Sequence, residues 1–134
     1  ESYNANPASM RAAIDLLGHT PVGFDGRRIA VLGDMLELGP QGEALHAGLA
    51  EALIAARVDR VFAAGPLMHA LWRALPTDLQ GAWTPTSKEL EPKLLTAVRA
   101  GDALMVKGSN GSRMGPVVEA LKSRFSSIRA AEDV

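Results

Sequence analysis

Cysteine is absent from the 134-residue chain. Without a thiol there is no disulfide framework, no thiolate metal site and no cysteine nucleophile. A surplus of charge is lacking too. The formal net charge is −1, which argues against an electrostatic grip on nucleic acid or on an acidic membrane surface. No apolar run reaches the roughly 20 residues that a membrane helix needs. No signal peptide is visible, so the cytoplasm is the expected compartment. The three histidines, His19, His46 and His69, are scattered without metal-ligand spacing. Neither a Gly-x-x-x-x-Gly-Lys-Ser/Thr phosphate loop nor a Gly-x-Gly-x-x-Gly dinucleotide turn occurs. What is there is a globular composition, 47% apolar, in a length suited to one domain with a sizeable core.

The apolar residues alternate between two periods. Met10, Ala13, Ile14 and Leu17 recur as one helical face, opened by Asn6 as a cap with Pro7 in the first turn and closed at Gly18. His19 to Gly26 reads as a loop. Arg28–Leu32 reads as a strand buried on both faces. A helix is expected from about Gln41 to Ala56, with Leu45, Leu49, Ala52, Leu53 and Ala56 inward. Arg60–Ala64 is the next strand, broken by Gly65-Pro66. Leu67, Ala70, Leu71 and Ala74 mark a short helix, Leu75 to Gly81 a loop, and Ala82–Thr84 a short strand. Thr86 and Glu89 are spaced as a capping box ahead of Leu90, Leu94, Leu95 and Val98, although Pro92 falls near the first turns. Ala103–Val106 is the last strand, and Met114, Val117, Val118 and Leu121 face inward from the last helix. The order predicts an α/β domain, a mostly parallel sheet flanked by helices, over residues 1–123, with a frayed tail at 124–134.

In such sheets ligands bind beyond the carboxyl ends of the strands. The turns Tyr3–Asn6, Asp34–Gly39, Gly65, Thr84–Ser87 and Lys107–Arg113 should therefore share one rim. Lys107-Gly108-Ser109-Asn110-Gly111-Ser112-Arg113 is the strongest candidate. Its glycines allow close backbone approach, its cations and polar side chains suit a carboxylate or phosphate, and helix-start N–H groups favour an anion. An ordinary glycine-rich turn with a solvated lysine explains the same residues. Asp34, just past a strand end, is either a ligand-orienting carboxylate or a helix-capping acid, and Glu37 follows three residues later. His46 reads first as a structural or solvent-facing histidine. Trp72 and Trp83 read as packing residues. No catalytic residue can be assigned from these patterns: no nucleophile–base pair or metal cluster emerges.

Three ordered segments carry a resemblance: Glu1-Ser2-Tyr3-Asn4-Ala5-Asn6-Pro7, Gly33-Asp34-Met35-Leu36-Glu37-Leu38-Gly39 and Lys107-Gly108-Ser109. Together they resemble the C-terminal domain of the Mur ligase family, in its MurF-type branch, the UDP-N-acetylmuramoyl-tripeptide:D-alanyl-D-alanine ligases of peptidoglycan synthesis. The resemblance runs from Glu1 to about Lys122. It implies a Rossmann-like domain with helices on both faces that closes over ATP and the incoming dipeptide. The phosphate loop, the Mg2+ sites and a carbamylated lysine would lie in a central domain, and the UDP-sugar site in an N-terminal one. Each is outside this sequence, so the isolated domain is expected to be an inactive, monomeric fragment. By the same resemblance Tyr3, Asn4 and Asn6 would meet the adenine and ribose of ATP. Lys107, Ser109 and Asn110 would hold the carboxylate of D-Ala-D-Ala. Asp34, Glu37 and His46 would stand at the rim without an assigned role. Two positions depart from the family pattern: Glu1 stands where many members have Asp, and Asn110 where many have Arg. Loss of that arginine removes a bidentate carboxylate partner, and Arg113 is the cation placed to supply the charge. The competing expectation is a free-standing flavodoxin-like module that binds a small anion or nucleotide, with Asp34 and Lys107 at strand ends but no second strand-end acid.

Overall fold

Four short apolar runs pair into one parallel sheet in the order β3-β2-β1-β4. The computed structural model describes residues 5–124. Its strands are β1 (Arg28–Gly33), β2 (Arg60–Ala64), β3 (Gln80–Thr84) and β4 (Ala103–Lys107). Helix α1 (Pro7–Gly18) precedes β1. Helices α2 (Gly42–Ala47) and α3 (Leu49–Ala55) lead to β2, α4 (Met68–Ala74) to β3 and α5 (Ser87–Ala97) to β4, and α6 (Gly115–Arg124) follows. Central β1 pairs Val31 with Phe62 on one side and with Val106 on the other.

Strand residues alternate between two cores, as side chains on a pleated strand must. Ala30, Leu32, Val61, Ala63, Ala103 and Met105 meet α1, α3 and α4 through Met10, Ile14, Leu53 and Leu71. Ile29, Val31, Phe62, Ala64, Leu104 and Val106 meet α5 and α6 through Leu90, Leu94, Val117 and Leu121. The sheet is thus covered on both faces, which explains the continuous apolar strands. Asn6 caps α1 as its sequence predicts: its Oδ1 accepts from the Ser9 N–H at 2.9 Å, and the Ser9 hydroxyl accepts from the Asn6 N–H at 3.1 Å. At the other end of α1, Arg28 Nε donates to the carbonyls of Leu17 and Thr20, both at 3.2 Å. Helix α1 therefore ends where β1 begins, and Asn6 lies toward the carboxyl ends of the strands.

The helix expected over Gln41–Ala56 is divided at Gly48, whose ψ of −16 opens the turn and whose carbonyl accepts from Arg11 Nη2 at 3.4 Å. The division shifts the inward face. In α2 it is Gly42 and His46 that are buried, while Leu45 is half-buried. Helix α4 is similarly rephased, burying Met68 and Leu71 and leaving Ala74 exposed. Strand β3 begins at Gln80, two residues before the predicted start. Pro92 sits inside α5, and Thr86 caps that helix by accepting from the Glu89 N–H at 3.2 Å. Helix α6 runs on through Ser123 to Arg124, and the remainder of the predicted tail lies outside the described residues. Among the described residues, no helix is long and apolar enough to cross a membrane.

At the amino ends of the strands, Asp102 is 8% exposed and pairs with Arg27 Nη2 at 2.9 Å. It also accepts from the backbone N–H groups of Arg27 and Arg99, each at 2.9 Å. Burial pushes the Asp102 carboxyl up, but the Arg27 guanidinium and the two N–H groups outweigh it and hold it below the usual carboxylate range. The charged form is therefore favoured by folding. Its contribution is complete above the unfolded-state value of about 3.9 and is lost as pH falls through the depressed folded-state value. Asp102→Asn should cost about 2–4 kcal/mol at pH 7, because Arg27 loses its partner in a mostly buried setting. Urea denaturation at stepped pH should show the gap from wild type narrowing below about pH 4, and a gap constant down to strongly acid pH would contradict the assignment.

Candidate functional site

Four turns emerge at the carboxyl ends of the strands, and hydrogen bonds join them in a closed circuit. Asp34 follows β1. Its carboxylate accepts from the N–H groups of Met68 at 2.8 Å and Leu67 at 3.1 Å, which ties the first turn to the start of α4. Gly65, after β2, donates its N–H to the Thr84 carbonyl at 2.9 Å, and its own carbonyl accepts from Trp83 Nε1 at 2.9 Å, which ties the second turn to β3. Ser87, at the start of α5, donates its hydroxyl to the Arg113 carbonyl at 2.8 Å, which ties the third turn to the fourth. Ser109, after β4, accepts from the Leu36 N–H at 3.0 Å and donates its own N–H to the Asp34 carbonyl at 3.1 Å, which closes the ring.

The ring surrounds a cleft of about 370 Å³ lined by Asp34, Leu36, Gly65, Thr86, Ser87 and Arg113 among others. Close approach is enforced where glycines stand. Gly65 has φ +116, and a Cβ there would collide with the Asp34 carboxylate. Added methyls at Gly33 and Gly108 would both meet Ser112 Oγ and the Met114 side chain. A larger, open groove of about 710 Å³ lies along α5, lined by strand-start residues Arg27, Arg60 and Gln80. It holds none of the candidate residues.

The candidates divide by burial. Asp34 and Ser109 are 4% and 1% exposed, and their side chains are spent on backbone N–H groups. His46 is 0% exposed. Its Nε2 accepts from the Met35 N–H at 2.9 Å and its Nδ1 lies 2.6 Å from the Gly42 carbonyl. Because a carbonyl can only accept, the ring is the neutral Nδ1–H tautomer, and His46 braces the first turn from behind. Arg113 and Asn110 are exposed, and Lys107 is half-buried in register with Leu32. Arg113 lines the cleft, whereas Lys107, Asn110, Glu37 and Asn6 do not. Tyr3 and Asn4 lie outside the described residues.

One expectation about the fourth turn is corrected. Lys107–Arg113 does not open directly into a helix. A 3-10 turn at Asn110–Ser112 and a left-handed Arg113 intervene before α6 starts at Gly115. The turn's N–H groups at Ser109, Ser112 and Arg113 are occupied by Asp34, Ser109 and Asn110 carbonyls. Sequence reasoning also passed over Ser87, Trp83 and Ser112 as site residues. Their roles depend on contacts between distant segments: Ser87 and Ser112 lay in predicted strand-end turns, whereas Trp83 lay in a predicted strand and read as a packing residue.

Fold and cleft define a class: a parallel α/β domain that gathers polar turns at its carboxyl rim, where such domains take ligands. The chain belongs to the family described as Mur ligase, glutamate ligase domain, which matches residues 2–110. It is similar to UDP-N-acetylmuramoyl-tripeptide--D-alanyl-D-alanine ligase of Escherichia coli, at 40% identity over 91% of this chain and 26% of that protein. It is also similar to the Synechocystis ligase of the same name, at 35% identity over 90% of this chain and 26% of that protein. Among solved structures, MurF of Acinetobacter baumannii superposes with a TM-score of 0.76 at 28% identity, covering 91% of this chain and 26% of that one. MurF ligase of Thermotoga maritima in complex with ADP gives 0.73 at 25% identity, covering 93% and 27%. The chain thus spans about a quarter of the length of the curated relatives it matches.

Gly65→Ala should cost about 2–4 kcal/mol, from the unfavourable φ and the collision with Asp34. In an Asp34→Ala background the added penalty should shrink to the φ component, about 1–2 kcal/mol. Thermal denaturation of the wild type, the two single variants and the double variant checks this, and strictly additive effects would show that Asp34 does not set the Gly65 backbone.

Proposed function

We propose that this chain is the C-terminal domain of a MurF-type, ATP-dependent ligase that joins D-Ala-D-Ala to UDP-MurNAc-tripeptide in the cytoplasm. The observation that carries the reading is the 40% identity to the Escherichia coli ligase across 91% of the chain. The reaction has two steps. The tripeptide carboxylate takes the γ-phosphoryl group of ATP, releasing ADP and leaving an acyl phosphate. The dipeptide amine then attacks the acyl carbon, forming the amide and releasing phosphate.

This domain's part is binding and orientation. In the proposal Arg113, with Lys107 and Asn110 on the same turn, meets the dipeptide carboxylate. Ser109 acts indirectly by fixing that turn to the Leu36 N–H. Asn6, with Tyr3 and Asn4, faces the nucleotide. The Asn6 amide nitrogen takes no part in its cap and suits an adenine or ribose contact. In the proposal Mg2+ is held by the central domain of the assembled enzyme. Asp34 is committed to the start of α4. The assembled enzyme is taken to work as a monomer.

The test is a chimera in which this chain replaces the matching C-terminal quarter of the Escherichia coli ligase. With ATP, Mg2+, UDP-MurNAc-tripeptide and D-Ala-D-Ala it should release phosphate and form the pentapeptide product, while the chain alone should not. Turnover no higher than that of the truncated ligase would sink the reading. Within the active chimera, Lys107→Ala should raise the KM for D-Ala-D-Ala more than that for ATP. Asn6→Ala should do the reverse and lose about 1 kcal/mol of stability with its cap. Stability losses without any change in KM would remove these residues from the binding assignment.

A further inference from the structure

Arg113 is held in a conformation that its own sequence does not favour. Its φ of 59 and ψ of 47 lie in the left-handed region, which a residue with a Cβ enters at a cost. Two hydrogen bonds fix it there. Its N–H donates to the Asn110 carbonyl at 3.1 Å, and its carbonyl accepts from the Ser87 hydroxyl at 2.8 Å. The first bond lies within the turn. The second comes from the start of α5, 26 residues away in sequence.

Ser87 is not needed by its own helix. Thr86 already supplies the cap of α5, accepting from the Glu89 N–H. A serine in the first turn of that helix has a spare hydroxyl, and here it goes to Arg113. Both residues line the same cleft. A backbone pinned at its carbonyl and its N–H has a fixed Cα–Cβ direction, which narrows the sector that the exposed Arg113 side chain can sweep. An arginine whose stem starts in the productive direction has less freedom to lose when its fork meets a planar carboxylate.

We infer that Ser87 is a positioning residue: by holding the left-handed Arg113 backbone it aims the guanidinium at the carboxylate of the incoming amine substrate. The inference rests on the ligase reading above. It predicts a binding effect without a chemical one, because the Ser87 hydroxyl is committed to the Arg113 carbonyl.

The experiment is steady-state kinetics on the full-length ligase carrying this chain. Arg113→Ala should raise the KM for D-Ala-D-Ala about tenfold or more, as loss of a charge-assisted contact does. Ser87→Ala should raise it about three- to tenfold, with kcat and the KM for ATP within about twofold of wild type. Ser87→Thr, which keeps the hydroxyl, should restore the wild-type KM. In the Arg113→Ala background Ser87→Ala should add nothing, since it acts through that residue. A large Arg113→Ala effect with an unchanged KM in Ser87→Ala would overturn the positioning role alone. So would equal losses in Ser87→Ala and Ser87→Thr, or full additivity of the two alanine variants. An Arg113→Ala variant with unaltered dipeptide KM would overturn the carboxylate assignment together with it. A wild type without dipeptide-dependent turnover would overturn the ligase reading and everything resting on it.

Discussion

The Asp34 carboxylate lies within hydrogen-bonding reach of two backbone N–H groups at the start of α4, and the rest of the rim is arranged around that contact. A buried carboxylate is tolerable only where donors surround it, and the first turn of a helix offers such donors with no intrahelical partner. The arrangement then propagates. Gly65 must lack a side chain because Asp34 occupies that space. The Asp34 carbonyl takes the Ser109 N–H, which draws the turn after β4 against the turn after β1. One side chain and its own backbone thus set the relative positions of three strand ends.

From that constraint follows a division of labour among polar groups. Among the described residues, Asp34, His46, Thr84 and Ser109 are buried polar groups at the carboxyl rim, balanced by Asp102 at the other end of the sheet. Every buried side-chain nitrogen and oxygen described has a hydrogen-bond partner. Satisfied networks of this kind are stiff, because breaking any member leaves an orphaned group in a low-dielectric setting. The buried members hold the shape of the cleft, while Arg113 lines it as an exposed residue. The backbone around the cleft is thereby held in place by groups that are already paired.

The sheet and its flanking helices were legible because their signals are local. Apolar period and turn residues marked all four strands and the Asn6 cap. The family resemblance, too, was carried by contiguous motifs. What was not legible was phase and reach. Gly48 breaks the run from Gln41 to Ala56, so the inward face passes to His46, whose burial depends on the Met35 N–H eleven residues earlier. Both readings of Asp34 were available from its place after a strand, and only the geometry of Leu67 and Met68 identifies the capping acid. Ser87 and Trp83 carry no motif at all. Their partners, the carbonyls of Arg113 and Gly65, are backbone atoms, and a sequence does not advertise a backbone acceptor.

Asn110 stands where the resemblance implies an arginine, and on the reading proposed above Arg113 is the cation that this turn presents instead. Asn110 to Ser112 form a 3-10 turn, closed by the Arg113 N–H on the Asn110 carbonyl at 3.1 Å. Arg113 itself leaves that geometry: its φ of 59 and ψ of 47 are left-handed, so its side chain does not repeat the direction of the Asn110 side chain. A residue with a Cβ adopts that conformation at a cost, and the Ser87 hydroxyl, 2.8 Å from the Arg113 carbonyl, helps to offset it. A cation at position 113 is therefore supported from outside its own turn, by a donor at the start of α5.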